Sequence, residues 1–436
     1  MRKLNIHQIL GSFLFIATLP AYAIDIAEGC VQHQHATDKN VFNWRYYLNI
    51  NADLAIAGLQ TPEEACNHWL INGIREGRQA HAGFHSIQYL NRHTDLLEAY
   101  GNDYAESIVH FVNHGNKEGR MGYQENGILL GQLTTTISSL AQDGKIFIGT
   151  SQRNAGAIDS LIFDNVEFIN ATDHGRELQI AYSSNYGGRY NPTEAGSCAD
   201  DLGYSTSAIL RSISASEGNM STTNNPAFWF NPGNDENCGG GVNSNVTANN
   251  HIINKNISIG IPKYPNAVKF TGQIQVNEVP HQDPLDATGP KLLFELPTGY
   301  MAGEFNRVYQ YNLSNSVIKE ITNSSCMILG CWTNDPLIYA TKDLSHAMAV
   351  CSVNASGASF TNIPAKYIAW GPLGSTVPFH ATTKWSVIRL INDNITSGTE
   401  INFSTLLLVA KSSDNTNAVD KLKNDLSNLQ RDGYCI

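Results

Sequence analysis

The sequence has little charge, and most of that charge is acidic. Charged residues are 15% of the 436 positions, and 28 lysines and arginines stand against 39 aspartates and glutamates, for a formal net charge of −11. Nucleic acids and anionic membrane surfaces bind clusters of basic residues, and the sequence contains no basic run. We therefore expect no nucleic-acid partner. Low charge with many glycine and small polar residues favours an exported, β-rich protein.

Common catalytic and metal-binding motifs are also missing. The sequence has no GxSxG, HExxH or GxxxxGK[ST] motif and no CxxC pair, so it predicts no metal-ligand set and indicates no particular cofactor. Residues 231–245 are rich in acidic and amide side chains but lack the residue order of an EF-hand loop. We interpret them as a disulfide-pinned loop, with calcium binding as the alternative.

Beyond the first residues, no run is apolar enough to span a bilayer. The chain begins with Arg2 and Lys3, continues with an apolar stretch over residues 9–19, and then has a small residue on each side of Tyr22. This order is typical of a secretory signal peptide. We predict that residues 1–23 are removed and that the remaining chain is secreted, periplasmic or held at the cell surface.

All eight cysteines lie after the predicted cleavage site. An even number of cysteines in an exported chain favours disulfide bonds. Their order predicts one bond in the first region and one in the next, and the last four pair among themselves in one of three ways. The predicted disulfide cysteines are Cys30 with Cys66, Cys198 with Cys238, and the group Cys326, Cys331, Cys351 and Cys435.

The first third of the chain contains a repeat with a period of 42 residues, which indicates a duplicated structural unit. The matching pairs include Phe42 and Phe84, Tyr47 and Tyr89, Asp53 and Asp95, His68 and His110, Gly73 and Gly115, and Arg78 and Arg120. Within the first copy, Thr61, Pro62 and Glu64 have the spacing of a helix N-cap with a capping box. We predict a helical two-repeat module over residues 24–124.

This repeat resembles one found in bacterial exported and surface proteins, with Tyr-Leu, then Asp-Leu, then His-aromatic, then Gly-x-x-Glu-Gly-Arg. The resemblance implies a spacer or a module that docks onto a surface or a protein partner. We interpret His68 and His110 as packing residues, with metal binding as the alternative. We expect Arg78 and Arg120 to pair with carbonyl groups at helix ends.

From about residue 125 the helical periodicity gives way to alternating apolar and polar residues, as in residues 268–276 and 401–409. No long helical segments alternate with these strands. The pattern therefore favours a mainly β protein, with a large antiparallel β-sandwich over residues 125–410. In the tail, residues 411–436, apolar residues recur at helical spacing and predict a helix packed on the sandwich and tethered by Cys435: Val419, Leu422, Leu426 and Leu429.

Residues 173–197 combine acidic, basic and amide side chains with two tyrosines, the mixture that binds sugar hydroxyls and stacks on sugar rings. If this stretch is a strand, His174 and Arg176 share one face and serve one pocket. Asn191 and Glu194 would orient hydroxyl groups. The alternative is a hydrogen-bonded turn that supports the sandwich.

Residues 154–197, with NAGAIDSL, the Gly-Arg-Glu-x-Gln core and the Asn-Pro loop, resemble a group of exported bacterial proteins. Their β-sandwich is similar to the galactose-mutarotase and polysaccharide-lyase supersandwich. The resemblance covers about residues 127–410 and returns in residues 295–312. It implies a supersandwich-like domain that faces carbohydrate, without fixing a reaction.

Several further residues are candidates for a site. Glu278 continues the apolar face of a predicted strand, where burial would suit a general acid, and His281 could pair with it; a solvent-facing strand end is the alternative. Tyr300 and Glu304 lie on a predicted loop after a strand. Trp229 is a candidate platform for a sugar ring, with a core position as its alternative.

These observations lead to one main hypothesis and one alternative. The main hypothesis is a secreted β-sandwich that recognises a glycan ligand, with lyase, hydrolase or epimerase chemistry as further options. If the protein is an enzyme, Arg176 would neutralise a sugar carboxylate or a developing oxyanion, and His174, Glu278 or His281 would transfer the proton. The alternative is a non-catalytic secreted or cell-surface interaction protein.

Overall fold

The computed structural model describes the chain from His33 onwards, with gaps. The described residues are 33, 35–51, 53–54, 57–123, 128–129, 132–141, 143–171, 174–184, 191–200, 206–230, 250–277, 292–323, 326–327, 330–353, 365–371, 382–390 and 396–435. The predicted signal peptide, Cys30, Cys238, Glu278 and His281 lie outside them. Within the described ranges the chain is mostly strand, and the large sheets are antiparallel, which confirms the predicted fold class.

Short helices fill the N-terminal part of the chain: α1 (Trp44–Ile50), α2 (Pro62–His68), α3 (Ser86–Arg92), α4 (Thr94–Tyr100) and α5 (Tyr104–His110). α2 begins as the sequence predicts. The Thr61 hydroxyl accepts a hydrogen bond from the Glu64 N–H, and the Glu64 carboxylate accepts one from the Thr61 N–H at 3.0 Å. Because this capping box satisfies two free N–H groups, it fixes the start of the helix.

The two sequence copies make the same internal contacts. The Tyr47 hydroxyl is 2.8 Å from Nδ1 of His68, and the Tyr89 hydroxyl is 2.9 Å from Nδ1 of His110. α2 and α5 each continue into a π-helical turn, Trp69–Gly73 and Phe111–Gly115. The histidines therefore pack and hydrogen-bond within their own copy.

The repeated arginines bind carboxylates. Arg78 forms a bidentate ion pair with Asp53, with both N···O distances 2.7 Å, and Arg120 pairs with Asp95 at 2.8 Å. The prediction that these arginines cap carbonyl groups at helix ends is wrong. Their planar guanidinium groups match the two oxygens of a carboxylate better than a single carbonyl.

A five-stranded sheet follows, in spatial order β1 to β5. Its strands are β1 (Ile128–Leu129), β2 (Gln132–Ala141), β3 (Gly144–Ser151), β4 (Ile158–Phe163) and β5 (Val166–Glu167). One face contributes Ile146, Ile148 and Leu161 to the main core. The other face places Ile162 and Phe147 against Tyr46 and Ala82, so the helices pack directly on this sheet.

The sandwich itself is formed by two larger sheets. In the seven-stranded sheet the spatial order is β10-β7-β6-β13-β20-β19-β16. Its strands are β6 (Gln179–Ser184), β7 (Pro192–Thr193), β10 (Ala227–Phe228), β13 (Leu292–Tyr300), β16 (Cys331–Thr333), β19 (Lys366–Trp370) and β20 (Lys384–Leu390).

The nine-stranded sheet has the order β15-β14-β17-β18-β21-β12-β11-β9-β8. Its strands are β8 (Ile209–Ser216), β9 (Asn219–Asn225), β11 (Ile252–Ile261), β12 (Tyr264–Val276), β14 (Arg307–Asn312), β15 (Val317–Glu320), β17 (Leu337–Ala340), β18 (His346–Val353) and β21 (Thr399–Lys411).

The main core lies between the sheets, where alternate residues of the central strands point inwards. Val268, Phe270, Ile274 and Val276 of β12 are all buried there, as their alternation predicts. Gly272 lies on the same inward face, and the ring of Phe403 fills the space that a side chain there would occupy. A Cβ on Gly272 would lie 2.4 Å from that ring. Strand alternation thus fixes which face of each sheet is left to contact something else.

The outer face of the nine-stranded sheet is covered by α6 (Ala418–Arg431). The helix begins at an Asn417 N-cap, and it buries the four apolar residues that the sequence singled out: Val419, Leu422, Leu426 and Leu429. A disulfide bond joins Cys435, just after the helix, to Cys351 on β18 beneath it. Among the described residues, no helix is long and apolar enough to cross a membrane.

The remaining described cysteines are also oxidised. Cys326 pairs with Cys331, which selects one of the three possible pairings of the last four cysteines. Cys66 and Cys198 are disulfide-bonded. Their predicted partners, Cys30 and Cys238, lie outside the described residues.

Candidate functional site

Polar and aromatic side chains gather on the outward face of the seven-stranded sheet. Phe294, Trp385 and Ala369 point into the main core. Their sequence neighbours on β13, β20 and β19 therefore point the other way. The outward residues that concern us are Glu295, Tyr300, Trp332, Trp370, Lys384 and Ser386, and we call this group the Lys384 face.

The register of the strands brings these residues side by side. Lys384 on β20 pairs with Tyr300 of β13 on one side and with Trp370 of β19 on the other. Trp332 on β16 pairs with Ile368, two residues before Trp370 on the same face. Cross-strand neighbours on one face are within reach of aromatic and long side chains.

Lys384 is the centre of the group. Its ammonium Nζ is 3.0 and 3.3 Å from the two carboxylate oxygens of Glu295. The same nitrogen is 4.9 Å from the ring centre of Trp370 and 5.7 Å from that of Tyr300. A cation between two rings and a carboxylate is held in one place by both attractions.

A hydroxyl network fixes the carboxylate in turn. The Ser386 hydroxyl lies 3.1 Å from Oε1 of Glu295, and the Thr298 hydroxyl is 2.8 Å from that of Ser386. A bulge between Glu295 and Thr298 interrupts the register of β13. Because the bulge shifts the alternation by one residue, both side chains point outwards.

The charge of the Lys384 face follows from these contacts. Burial lowers the pKa of Lys384, but the attraction of Glu295 and Tyr300 outweighs it and leaves the pKa above its ordinary value. The raised pKa keeps the ammonium protonated, and the side chain as a whole is 23% exposed. Trp332 is 50% exposed, and Tyr300 and Trp370 are partly exposed. The face thus offers aromatic surface beside a fixed ion pair.

The structure places one sequence-predicted residue, Tyr300, on this face. Glu304, four residues later, forms an ion pair with Arg45 of α1, and Arg45 in turn stacks on Trp44. Asn191 immediately precedes β7 and Trp229 immediately follows β10, at the edge of the sheet opposite β16, and the Trp229 N–H donates to the Asn191 carbonyl at 2.8 Å. Tyr300 ends β13, which β6 separates from β7 and β10, so the structure does not bring these candidates together.

Two other candidates are buried. Glu194 forms an ion pair with Lys255 of β11 inside the sandwich, and neither side chain is exposed. His174 is buried, with Nε2 2.9 Å from the carbonyl oxygen of Arg153. Residues 174–177 form a turn before β6, so the prediction that His174 and Arg176 share a strand face is wrong. Arg176 itself is partly buried.

A second polar group lies under the helical module, within the five-stranded sheet. Glu167 accepts hydrogen bonds from the Ser160 hydroxyl at 2.6 Å and from the Leu161 N–H at 2.9 Å. Burial raises its pKa to about 7, and burial raises the pKa of nearby Asp159 to about 6. Burial and the charges of these two carboxylates also raise the pKa of Tyr46 on α1.

Sequence reasoning missed most of the Lys384 face. Trp332 lies on a three-residue strand, Cys331–Thr333, which is too short to show alternation. In contrast, Lys384 begins a seven-residue stretch, KWSVIRL, in which Lys384, Ser386 and Ile388 alternate with Trp385 and Val387. That alternation was available in the sequence and would have placed a lysine and a serine together on the outward face.

Comparisons with known proteins give a likeness of structure alone. No family model and no curated protein matches the chain. Among solved structures, a mutant of heparan sulfate lyase HepC from Pedobacter heparinus is similar, with 8% identity and a TM-score of 0.34 over 81% of this chain and 57% of that one. This chain therefore spans little more than half the length of that lyase.

Two other solved structures are similar at the same level. A putative mutarotase (YeaD) from Salmonella typhimurium has 9% identity and a TM-score of 0.32, over 68% of this chain and 99% of that one. The galactosidase domain of alpha-galactosidase-sucrose kinase, AgaSK, has 8% identity and a TM-score of 0.33, over 64% of this chain and 40% of that one. These scores are too low to assign the chain to any of these families.

Proposed function

We propose that the chain is an exported protein that recognises carbohydrate through the Lys384 face. The observation that carries the proposal is the arrangement around Lys384: partly exposed rings of Tyr300 and Trp370 on either side of an ammonium that Glu295 holds. Sugar rings present apolar C–H surfaces that stack on aromatic rings, and their hydroxyl groups need charged or hydroxyl partners at fixed positions. The Lys384 face offers both within a few ångströms.

The disulfide bonds support export, because disulfides persist in oxidising compartments. We propose secretion, or retention in the periplasm or at the cell surface, after removal of residues 1–23. We further propose that the helical module of residues 24–124 is a docking unit, the sandwich of residues 125–410 the recognition domain, and residues 411–436 its stabilising tail.

The first test is a glycan-array screen of the oxidised chain that starts at Ile24, followed by titration of the sugar that binds. Trp332→Ala and Trp229→Ala form a matched pair, because Trp332 lies on edge strand β16 and Trp229 directly follows β10, the opposite edge strand of the same sheet, away from the Lys384 face. We expect Trp332→Ala to weaken binding about fivefold, since an aromatic contact contributes about 1 kcal/mol. Trp229→Ala should leave binding unchanged.

The reverse result, with binding lost only in Trp229→Ala, would move the site to the other end of the sheet. No binding by the unaltered chain would remove carbohydrate recognition and favour the non-catalytic interaction protein of the alternative hypothesis. Incubation of the bound sugar with the protein, followed by analysis of chain length and ring configuration, tests for lyase, hydrolase or epimerase chemistry.

A further inference from the structure

The Cys326–Cys331 disulfide closes a short loop at the edge of the Lys384 face. The two cysteines are five positions apart, and Cys331 is the first residue of β16. Cys331 and Met327 are buried in the main core, so the loop is anchored on the inner side of the sheet. The residue after Cys331 is Trp332, whose ring belongs to the Lys384 face. The disulfide is therefore one peptide bond away from an exposed ring of the proposed site.

The same loop also contacts the second tryptophan. A Cβ on Gly330 would lie 2.6 Å from Nε1 of Trp370, so the indole of Trp370 packs directly on the backbone of the loop. Gly330 has φ of +94°, a conformation that favours glycine. On the other side, the N–H of Gly371 donates to the Met327 carbonyl oxygen at 3.1 Å. Trp370 thus packs on Gly330 of the disulfide-closed loop, and its chain neighbour Gly371 is hydrogen-bonded to Met327 of the same loop.

These contacts connect the loop to the ion pair at the centre of the face. The ring of Trp370 lies 4.9 Å from Nζ of Lys384, and Lys384 binds Glu295. A displacement of the loop would therefore move the ring of Trp332, because its backbone continues from Cys331. It would also move the ring of Trp370, because that ring packs on the loop. Lys384 would then lose its contact with the Trp370 ring.

We propose that the Cys326–Cys331 disulfide positions Trp332 and Trp370, so that the Lys384 face is competent to bind its ligand only when these two cysteines are oxidised. The inference rests on the proposed function for the identity of the ligand, but the positioning of the two rings is independent of it. It also implies that the chain gains its binding activity after it reaches an oxidising compartment, because a reducing compartment keeps the two cysteines as free thiols.

The chemical step is a thiol–disulfide exchange. A dithiol reductant supplies two electrons and two protons, the S–S bond breaks, two cysteine thiols form, and the reductant closes into its own cyclic disulfide. Nothing else in the Lys384 face is changed by this step. The effect on binding must therefore come from the freedom that the loop gains.

The experiment uses the full oxidised chain with 5-fluorotryptophan in its six tryptophan positions and records fluorine NMR spectra. Single Trp→Phe variants assign the resonances. Two double variants are compared. The first combines Cys326→Ser and Cys331→Ser. The second combines Cys351→Ser and Cys435→Ser, and it removes the disulfide on the far side of the nine-stranded sheet. Affinity for the sugar found in the array screen is measured on the same samples.

We expect the resonances of Trp332 and Trp370 to move or broaden in the first double variant, while those of Trp69 and Trp44 in the helical module stay in place. Sugar affinity should fall at least tenfold. The second double variant should keep both the resonances and the affinity. Dithiothreitol added to the unaltered folded chain should reproduce the shifts of the first double variant, and it should add no further shift at these two resonances in that variant.

Unchanged Trp332 and Trp370 resonances after loss of the Cys326–Cys331 bond would overturn the proposal, whatever the sugar affinity does. Equal loss of affinity in both double variants would also overturn it, because it would indicate general destabilisation. If the unaltered chain binds no sugar, the proposed function fails, and the fluorine spectra alone then decide the positioning: movement of the two resonances supports it, and no movement refutes it.

Discussion

Lys255 and Glu194 form an ion pair that joins the two large sheets across the interior of the sandwich. Lys255 points inwards from β11 between Ile253 and Ile257, both of which are core residues. Its ammonium also donates to the Gly156 carbonyl at 2.5 Å, and Glu194 accepts from the Ile180 N–H at 2.9 Å. Burial lowers the pKa of Lys255, although Glu194 opposes that shift.

We predict that Lys255→Met destabilises the protein by about 3–5 kcal/mol, because it leaves the Glu194 carboxylate buried without its counter-charge. Adding Glu194→Gln should recover at least about 1 kcal/mol, since an amide keeps an acceptor for the Ile180 N–H and carries no charge. Urea unfolding of the single and double variants measures both values. A cost below about 1 kcal/mol for Lys255→Met would show that the pair contributes little.

The second prediction concerns the stability cost of replacing the repeated glycines of the helical module. A Cβ on Gly115 would lie 2.1 Å from the Tyr89 hydroxyl oxygen, and one on Gly73 would lie 2.1 Å from that of Tyr47. Gly115→Ala should therefore cost about 1–3 kcal/mol through overpacking. Removing the hydroxyl with Tyr89→Phe should relieve part of that cost, so the double variant should be less destabilised than the sum of the two single changes.

Gly73→Ala with Tyr47→Phe is the matched control for this cycle, because the first copy has the same close approach. Thermal unfolding of the unaltered protein and the six variants gives both coupling energies. Strict additivity in both copies would contradict the steric explanation for the repeated glycine.

The third prediction concerns pH. The pKa of Glu167 is about 7 in the folded protein, above its ordinary value of 4.5, so the folded state holds a proton that the unfolded state releases between these values. Its contribution to stability is complete below about pH 4.5 and is lost as the pH rises through 7. Asp159 acts in the same direction, with a pKa of about 6.

Glu167→Gln should remove the part of the pH dependence that belongs to this group. The free energy of unfolding of the unaltered protein, relative to that of the variant, should fall by about 2–3 kcal/mol between pH 4.5 and pH 8. The comparison with the variant matters because buried His81 and His85, with pKa values lowered by burial to about 3 and 4, act in the opposite direction below pH 6.5. A constant difference between the two proteins would refute the assignment.

The two described disulfides should differ in their effect on stability. Cys351 and Cys435 are 84 positions apart, whereas Cys326 and Cys331 are five apart. In the chain-entropy treatment the longer loop contributes about 4.5 kcal/mol and the shorter one about 2 kcal/mol. Guanidinium unfolding of the two double Cys→Ser variants should show this order. A larger loss from the Cys326–Cys331 pair would mean that its loop stabilises the whole sheet.

The sequence allowed the large elements to be predicted, because their patterns are long. Thirteen-residue β12 and β21 show alternation, and the Thr61 capping box and the apolar stripe from Val419 to Leu429 each obey a local rule. Such rules depend on neighbours in the chain. Fold class, the start of α2 and the tail helix are therefore visible without any knowledge of long-range contacts.

The candidate site was less predictable, because it depends on contacts between distant segments. Lys384 meets Glu295 across 89 positions, and the outward direction of Glu295 depends on a bulge in β13. Glu194 has the residue type of a sugar ligand, yet a lysine 61 positions away pairs with it inside the core. The composition of a segment shows which side chains it carries, but not which distant residues those side chains contact in the folded protein.

The position of α6 determines when the apolar outer face of the nine-stranded sheet becomes covered during folding. The outward sides of Ala349, Leu406 and Leu408, on the central strands of the nine-stranded sheet, are covered by the apolar face of α6, which follows all of these strands in the chain. Until α6 has been synthesised and has docked, an apolar sheet surface is left open to solvent and to neighbouring chains. The rate at which α6 docks, or a chaperone that shields this surface before it docks, would therefore decide how much of the newly made protein escapes aggregation.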